Sequence, residues 1–316
     1  MSERIGSAGG TLAVVVAYHP DAESLRRLLG ALVEQVHAVV VVDNTPAGSL
    51  IAAEEVRRCE GVPVRLIQWG ENRGIAEALN EGIRLAQSES FEFVLLSDQD
   101  SLPPANMVRG LYEVFENASA TGLNVACVSP QYFDRTTNQA FPFQVQKPDR
   151  LFYSNAGTEA ADPWLEAFTT ITSGSLIPVR VLKDVGGMRA EYFIDNVDIE
   201  WCLRARHMGY VILGTSKVRL HHQLGQNPFR VWVLRWRLYG TYSPVRFYYK
   251  YRNFLLMWRL SYVPLRWKLR ACWYWIGQFY AYVFFSPDRW KNLSMIAKGI
   301  RDGMLGRTGP IDRLRK

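Results

Sequence analysis

Two short apolar runs, residues 12–17 (LAVVVA) and 38–42 (AVVVV), restrict the fold more than any other feature of the chain. Neither alternates with polar residues. Each must therefore be covered on both faces, which is the condition of a parallel strand inside an α/β sheet. Between them Leu25, Leu28, Leu29, Leu32 and Val33 recur at helical spacing, and Asp21 stands at the N-cap position. This is a βαβ unit. The pattern repeats along the chain, with a strand at 64–68 followed by a helix whose buried face is Ile75, Leu79, Ile83 and Ala86. A strand at 93–96 precedes a helix with Met107, Leu111, Val114 and Phe115, and 125–128 is a further short strand. Such alternation predicts an α/β fold with a mainly parallel sheet flanked by helices. Residues 131–162, rich in Asn, Gln, Thr and Pro, are expected to form a long loop or lid. Regularity returns around 170–178 and in a helix over 197–207, and the chain beyond His222 is expected to be helical.

The net charge of +7 hides a division. Residues 1–222 carry 19 Lys+Arg against 27 Asp+Glu, whereas residues 223–316 carry 18 against 3, with 22 of the 40 aromatic residues. We therefore expect a catalytic α/β domain over 1–222 and a basic, aromatic, helical region over 223–316. Cys59, Cys127, Cys202 and Cys272 form no C-x-x-C pair, which argues against a zinc knuckle or disulfide framework and fits a reducing compartment. Residues 1–10 show no h-region of a signal peptide. The most apolar stretch, 273–285, is shorter than the roughly 20 residues a spanning helix needs.

The first strand is followed by Tyr18-His19-Pro20, which disfavours a dinucleotide-binding dehydrogenase, and neither a P-loop nor a G-x-S-x-G elbow is present. The chemistry-bearing residues lie elsewhere. The strand at 93–96 ends in Ser97-Asp98-Gln99-Asp100-Ser101. Open α/β sheets place ligands at such carboxyl ends. Two carboxylates there repel unless a cation sits between them, and Mg²⁺-type ions take one or two carboxylates plus substrate phosphates. A solvated turn is the plainer reading of the same residues. Asp43-Asn44 ends the second strand, where Asp43 could accept a nucleobase imide N–H or simply form an Asx turn. Asn72-Arg73-Gly74 precedes a helix and could cap it, and Arg73 could also meet a phosphate. In the run 192–204, Asp195 is expected to cap the following helix and Asp198 to sit near its N-terminus. The helix dipole would keep Asp198 ionised, as removal of a proton from an alcohol requires. His221-His222 follows, and a histidine with an Asp-x-Asp elsewhere is a credible further metal ligand.

Together these residues resemble the family 2 inverting glycosyltransferases of GT-A fold. Among them the chain is most similar to bacterial rhamnosyltransferases that use dTDP-L-rhamnose. The resemblance runs through AVVVVDNT, NRGIAEALNEGI, LLSDQDS, FIDNVDIEWCLRARHMGY, HHQLG, YYKYRN and GIRDGMLGRTG. It implies a Rossmann-like GT-A domain that transfers rhamnose to a hydroxyl of a lipid-linked saccharide in cell-surface polysaccharide synthesis. It further implies that Asp43 contacts the nucleobase, that Asp98 contacts ribose or metal-bound water, and that Asp100 binds Mg²⁺ or Mn²⁺. His222 completes the metal site, with His221 as its rival. Ala17, Asn72, Arg73, Gln99, Ser173 and Gly174 are expected around the donor. Asp198 is the general base, and Trp201 and Asp195 border the acceptor.

The basic aromatic region matches no nucleic-acid module. A membrane surface explains it better, with Trp267, Trp273, Tyr274, Trp275, Tyr280 and Phe284 as interfacial rings and Arg266, Lys268 and Arg270 as charge for anionic lipid. The plain alternative is that these rings pack the helices onto the catalytic domain. The expected place is the cytoplasmic face of the plasma membrane, and assembly with further copies stays open. A transferase for another sugar from a UDP donor is the rival within the class. Outside it stand a nucleotidyltransferase, which Tyr18-His19-Pro20 does not fit, and a non-catalytic membrane adaptor of the same fold. Asp98, Asp100 and Asp198 together speak against the adaptor.

Overall fold

The unbroken apolar runs become the inner strands of one central sheet. The computed structural model describes residues 10–48, 56, 61–134, 140–146, 154–156, 163–222, 226–233 and 235–312. Strand β1 (Thr11–Ala17) is buried along its whole length and pairs in parallel with β2 (Ala38–Pro46) and β4 (Phe93–Asp98). β3 (Val64–Gly70) continues the parallel set beyond β2. Helices α1 (Ala22–Val33), α2 (Ile75–Ser88) and α3 (Met107–Ala120) contribute their apolar faces to the same core. Asp21 caps α1 as expected, its side chain accepting from the Ser24 N–H.

Beyond β4 the sheet becomes mixed. β5 (Val125–Asp134) pairs in parallel with β11 (Val211–His222), and β10 (Ser175–Pro178) lies antiparallel between β4 and β5. β9 (Leu165–Ala167) closes the far edge and β6 (Ala140–Phe141) adds to β5. The order is β3-β2-β1-β4-β10-β5-β11-β9, nine strands with β6 among the described residues. This is a mainly parallel sheet flanked by helices, as the strand–helix alternation requires.

Two expectations change. β5 runs on to Asp134, and the segment read as a loop also holds β6 and the small pair β7 (Phe143–Val145) and β8 (Ser154–Ala156). The chain after His222 opens with a hairpin, β12 (Gln226–Val233) and β13 (Arg235–Thr241), before α6 (Pro244–Trp258), α7 (Leu265–Phe284) and α8 (Arg289–Met304). The alternation in VWVLRWRLYG is a period of two, which suits a strand and not a helix. The short helix α4 (Val179–Val185) and α5 (Val197–His207) complete the elements used below. Phe254, Met257 and Trp267 of the C-terminal region enter the main core.

Candidate active site

In parallel register Val16 stands beside Asp98 and Ala17 beside Asp43, so β1, β2 and β4 all end at one edge of the sheet. A cleft of about 580 Å³ opens there. One part is lined by Val16, Tyr18, Asn44 and Asn72, and the middle by Asp98, Gln99, Asp100 and Thr172. The far part is lined by Asp195 and Asp198 at the start of α5, and by Tyr242, Arg246, Lys250, Tyr274 and Trp275 from the C-terminal region. Four carboxylates from two distant stretches of sequence thus share one cleft.

Asp198 is half-buried in the first turn of α5, and its Oδ1 accepts from the Ile199 N–H at 2.8 Å. Withdrawal from water pushes its carboxyl up to about 6, and the charges of Asp195 and Asp98 add to the rise. The helix start therefore does not hold Asp198 at an ordinary carboxylate value, although at neutral pH it remains mostly ionised. Asp195 is not the N-cap. That position is Asn196, at φ 62° with no side-chain cap bond, while Asp195 is drawn to Arg246 Nη2 at 2.6 Å and Nε at 3.3 Å. Beside that pair the Lys250 ammonium lies 3.9 Å from the Tyr242 ring centroid, and burial lowers it to about 8.

Several sequence-predicted residues support the cleft from behind. Asp43 is fully buried, with Oδ1 accepting from Thr45 N–H and Oδ2 from Gln68 Nε2, each at 3.1 Å. Its neighbour Asn44 faces the cleft instead, because side chains alternate along a strand. Asn72 lines the cleft and accepts from Asn44 Nδ2 and Gly74 N–H, both at 2.9 Å. The N-cap of α2 is Gly74 itself. Arg73 is not among the lining residues. It pairs with Glu71 at 2.7 Å and lies over the Trp69 ring. Ala17 is buried inside the sheet. Gln99 lines the cleft while its amide clasps the Tyr18 backbone, accepting from N–H at 2.6 Å and donating to C=O at 3.1 Å. Ser173 is buried behind Asp98, accepting from its N–H at 3.2 Å, and Gly174 donates to Leu96 C=O. Trp201 does not border the cleft. It is 2% exposed in the core and donates its indole N–H to Gly186 C=O.

Asp98 and Asp100 line the open cleft with hard oxygens, and the Asp98 charge adds to the rise in the pKa of Asp198 that burial begins. Among the described residues no three His, Cys, Asp or Glu side chains are grouped to hold a metal. This donor set fits an ion that takes one or two protein carboxylates and completes its shell with phosphate and water, not a cage made wholly of side chains. A backbone bridge from Leu102 to His221 brings the end of β11 beside the loop after Asp100. The side chain of His222 lies outside the described residues.

The sequence reading missed the brace behind the start of α5. Phe193, Asp195 and Asn196 all have positive φ, at 66°, 63° and 62°. Such backbone costs of order 1–3 kcal/mol per residue and persists only where surroundings impose it. The Asn253 amide Nδ2 donates to the carbonyls of Tyr192, Ile194 and Asp195 at 2.8–2.9 Å. The fully buried Arg252 donates to the carbonyls of Glu191, Tyr192 and Gly309 and to Asn253 Oδ1. Phe193 is held between Tyr249, stacked at 4.9 Å, and Gly74, where an added Cβ would lie 2.6 Å from its ring and carbonyl. Asp302 accepts from Tyr248, Arg301 and Arg307. The late YYKYRN and GIRDGMLGRTG segments thus support the loop that carries Asp195 and leads to Asp198.

Comparison with known proteins shows the family of the chain. Residues 13–186 match the family described as Glycosyl transferase family 2. Over 260 residues the chain is 33% identical to the dTDP-rhamnosyl transferase RfbF of Shigella flexneri, covering 82% of this chain and 83% of that protein. Over 203 residues it is 24% identical to the low-salt glycan biosynthesis hexosyltransferase Agl10 of Haloferax volcanii, covering 62% and 61%. The fold is similar to S. aureus TarS (TM-score 0.50, 17% identity), covering 78% of this chain and 39% of that one. It is also similar to GalNAc-T7 solved with UDP, GalNAc and Mn²⁺ (TM-score 0.58, 11% identity), covering 93% and 55%. With the family match spanning more than half of its length, the chain belongs to glycosyl transferase family 2 and is a glycosyltransferase of GT-A-like fold.

Proposed function

We propose that the enzyme transfers L-rhamnose from dTDP-L-rhamnose, with inversion, to a hydroxyl of a lipid-linked saccharide at a membrane surface during cell-surface polysaccharide synthesis. The observation that carries this reading is the placement of Asp198 in one cleft with Asp98 and Asp100. The similarity to the Shigella dTDP-rhamnosyl transferase over most of both chains supports the donor.

The part of the cleft at Val16, Asn44 and Asn72 takes the nucleotide, where the paired Asn side chains offer amide groups to a base or ribose. Asp98 and Asp100 would hold Mg²⁺ or Mn²⁺, which when bound neutralises the diphosphate as it leaves. Asp198 removes the proton from the acceptor hydroxyl as that oxygen attacks the anomeric carbon from the opposite face. Its raised pKa leaves it mostly ionised at neutral pH yet basic enough to hold the proton it takes. The Asp195–Arg246 pair and the Tyr242, Tyr274 and Trp275 rings form the acceptor side, since aromatic faces cover the apolar faces of sugars.

Calorimetric titration with dTDP-L-rhamnose and with UDP-glucose and UDP-galactofuranose, each with and without Mg²⁺, tests the donor. Mg²⁺-dependent binding with at least about tenfold preference for dTDP-L-rhamnose, about 1.4 kcal/mol, is expected. Preference for a UDP-sugar would retain the family and overturn rhamnose. Binding indifferent to Mg²⁺ would overturn the role given to Asp98 and Asp100.

A further inference from the structure

Helix α7 is apolar on the side that faces away from the protein. Leu265, Leu269, Trp273, Ile276, Tyr280 and Phe284 follow one another at intervals of four, four, three, four and four residues. At 3.6 residues per turn this spacing places them on a single stripe. All six are exposed, Trp273 by 73% and Phe284 by 59%. The opposite side of α7 is the packed one, with Trp267, Ala271, Ala281 and Tyr282 buried. An ordinary surface helix has the reverse polarity. The apolar surface continues past the helix end into Phe285 and Trp290, which is 72% exposed. Of the rings first expected at an interface, Trp267 is core, Tyr274 and Trp275 line the cleft, and Trp273, Tyr280 and Phe284 face outward.

The charges beside the stripe indicate what covers it. Arg266 lies at its border near one end, and exposed Arg289 and Lys291 flank Trp290 at the other. Acidic residues are scarce, only 3 against 18 Lys+Arg over residues 223–316. Two copies packed stripe to stripe would bring these cations together, whereas a negatively charged surface attracts them. Exposed Trp, Tyr and Phe with basic flanks on a helix in the plane of the surface are the features of interfacial membrane binding. Among the described residues no helix is long and apolar enough to cross a membrane.

We propose that the outward stripe of α7 seats the enzyme in the interface of an anionic phospholipid bilayer, with the helix parallel to the membrane plane. The same helix supplies Tyr274 and Trp275 to the far part of the cleft, so membrane contact and acceptor wall are two sides of one element. An acceptor held by its lipid then enters the cleft from the bilayer. This last step rests on the glycosyl-transfer reading, whereas the membrane contact does not.

The test is flotation of the full chain with vesicles of phosphatidylethanolamine and phosphatidylglycerol, and with phosphatidylcholine alone. The parent is expected to float with the anionic vesicles. A Trp273→Ser/Phe284→Ser variant should lose about tenfold or more in partitioning, since each ring buries apolar area in the interface. An Arg266→Gln/Arg289→Gln variant should lose about tenfold, chiefly at low salt. Both variants should keep the parent's melting temperature, because the altered residues are exposed. Equal flotation of parent and Trp273→Ser/Phe284→Ser, or no flotation of the parent, overturns the proposal. So does a dimer in sedimentation equilibrium that Trp273→Ser/Phe284→Ser dissolves, because a second copy then covers the stripe. Flotation that depends on the stripe in a chain that binds no nucleotide sugar would sustain the membrane contact and overturn the transfer reading alone.

Discussion

Replacement of Asp198 by asparagine is expected to lower kcat by about 10²–10⁴-fold, the usual worth of a positioned general base. The donor KM should change little, because the nucleotide side proposed above, at Val16, Asn44 and Asn72, belongs to β1, β2 and the loop before α2 and not to α5. Protein stability should be equal or higher. The Asp198 pKa is raised in the folded state, so its charged form is disfavoured there, and the neutral amide removes that cost. In the parent enzyme kcat/KM should be full above about pH 6 and fall as pH drops through it, since the base must be deprotonated to act. The low-pH limb should vanish from the residual activity of the asparagine variant. A variant that loses donor affinity and kcat together, or a parent profile flat through pH 6, would remove Asp198 from the role of base.

The largest structural effect is expected at Asn253, although its side chain does not line the cleft. Truncation by Asn253→Ala leaves the carbonyls of Ile194 and Asp195 without that donor, while Tyr192 C=O keeps Arg252 and the Ile194 N–H. Buried unpaired carbonyls cost about 1–3 kcal/mol each, so a loss of about 3 kcal/mol is expected, read as a shift in denaturant midpoint. The strained backbone at 193–196 then relaxes and the start of α5 moves. A displacement on the scale of 1 Å costs about 10²-fold in rate, so kcat should fall well below the parent at temperatures where the variant is still folded. The control is Tyr249→Phe, which removes the hydroxyl that accepts from Ile311 N–H but keeps the ring stacked on Phe193. It should lower stability slightly and leave kcat near the parent value. Equal kcat loss in both variants would mean that Asn253 acts through general stability and not through the loop.

The first half of the fold was legible because its signals are local. An apolar run without alternation reports burial on both faces, and a helix reports its buried side through spacing. The position of Asp98 and Asp100 at a strand end follows from the same reading. The segments that misled are those where the local signal is weak or two periods compete. Residues 131–162 hold strands too short and too polar to show a period. The stretch after His222 mixes rings and arginines at a spacing of two, so its strand period is carried by residue types common to basic helices as well.

The site divides along the same line. Asp198 could be placed at a helix start from its neighbours alone, but its raised pKa depends first on the packing that excludes water, with the charges of Asp195 and the sequence-distant Asp98 adding to it. Asp195 reads as a cap from sequence, yet in the fold it meets Arg246, whose guanidinium offers a bidentate charged partner that a helix end lacks. Asp43 and Trp201 have the residue types of contact positions, but the fold turns both inward. The outward face of α7 was visible only as composition, since sequence shows that a helix has a stripe of rings and not which way the stripe points. Local periodicity follows from backbone geometry and is written in adjacent residues. Direction, pairing across the chain and withdrawal from water arise only when distant elements pack, and these properties distinguish the residues that line the cleft or the exposed stripe of α7 from those that hold them in place.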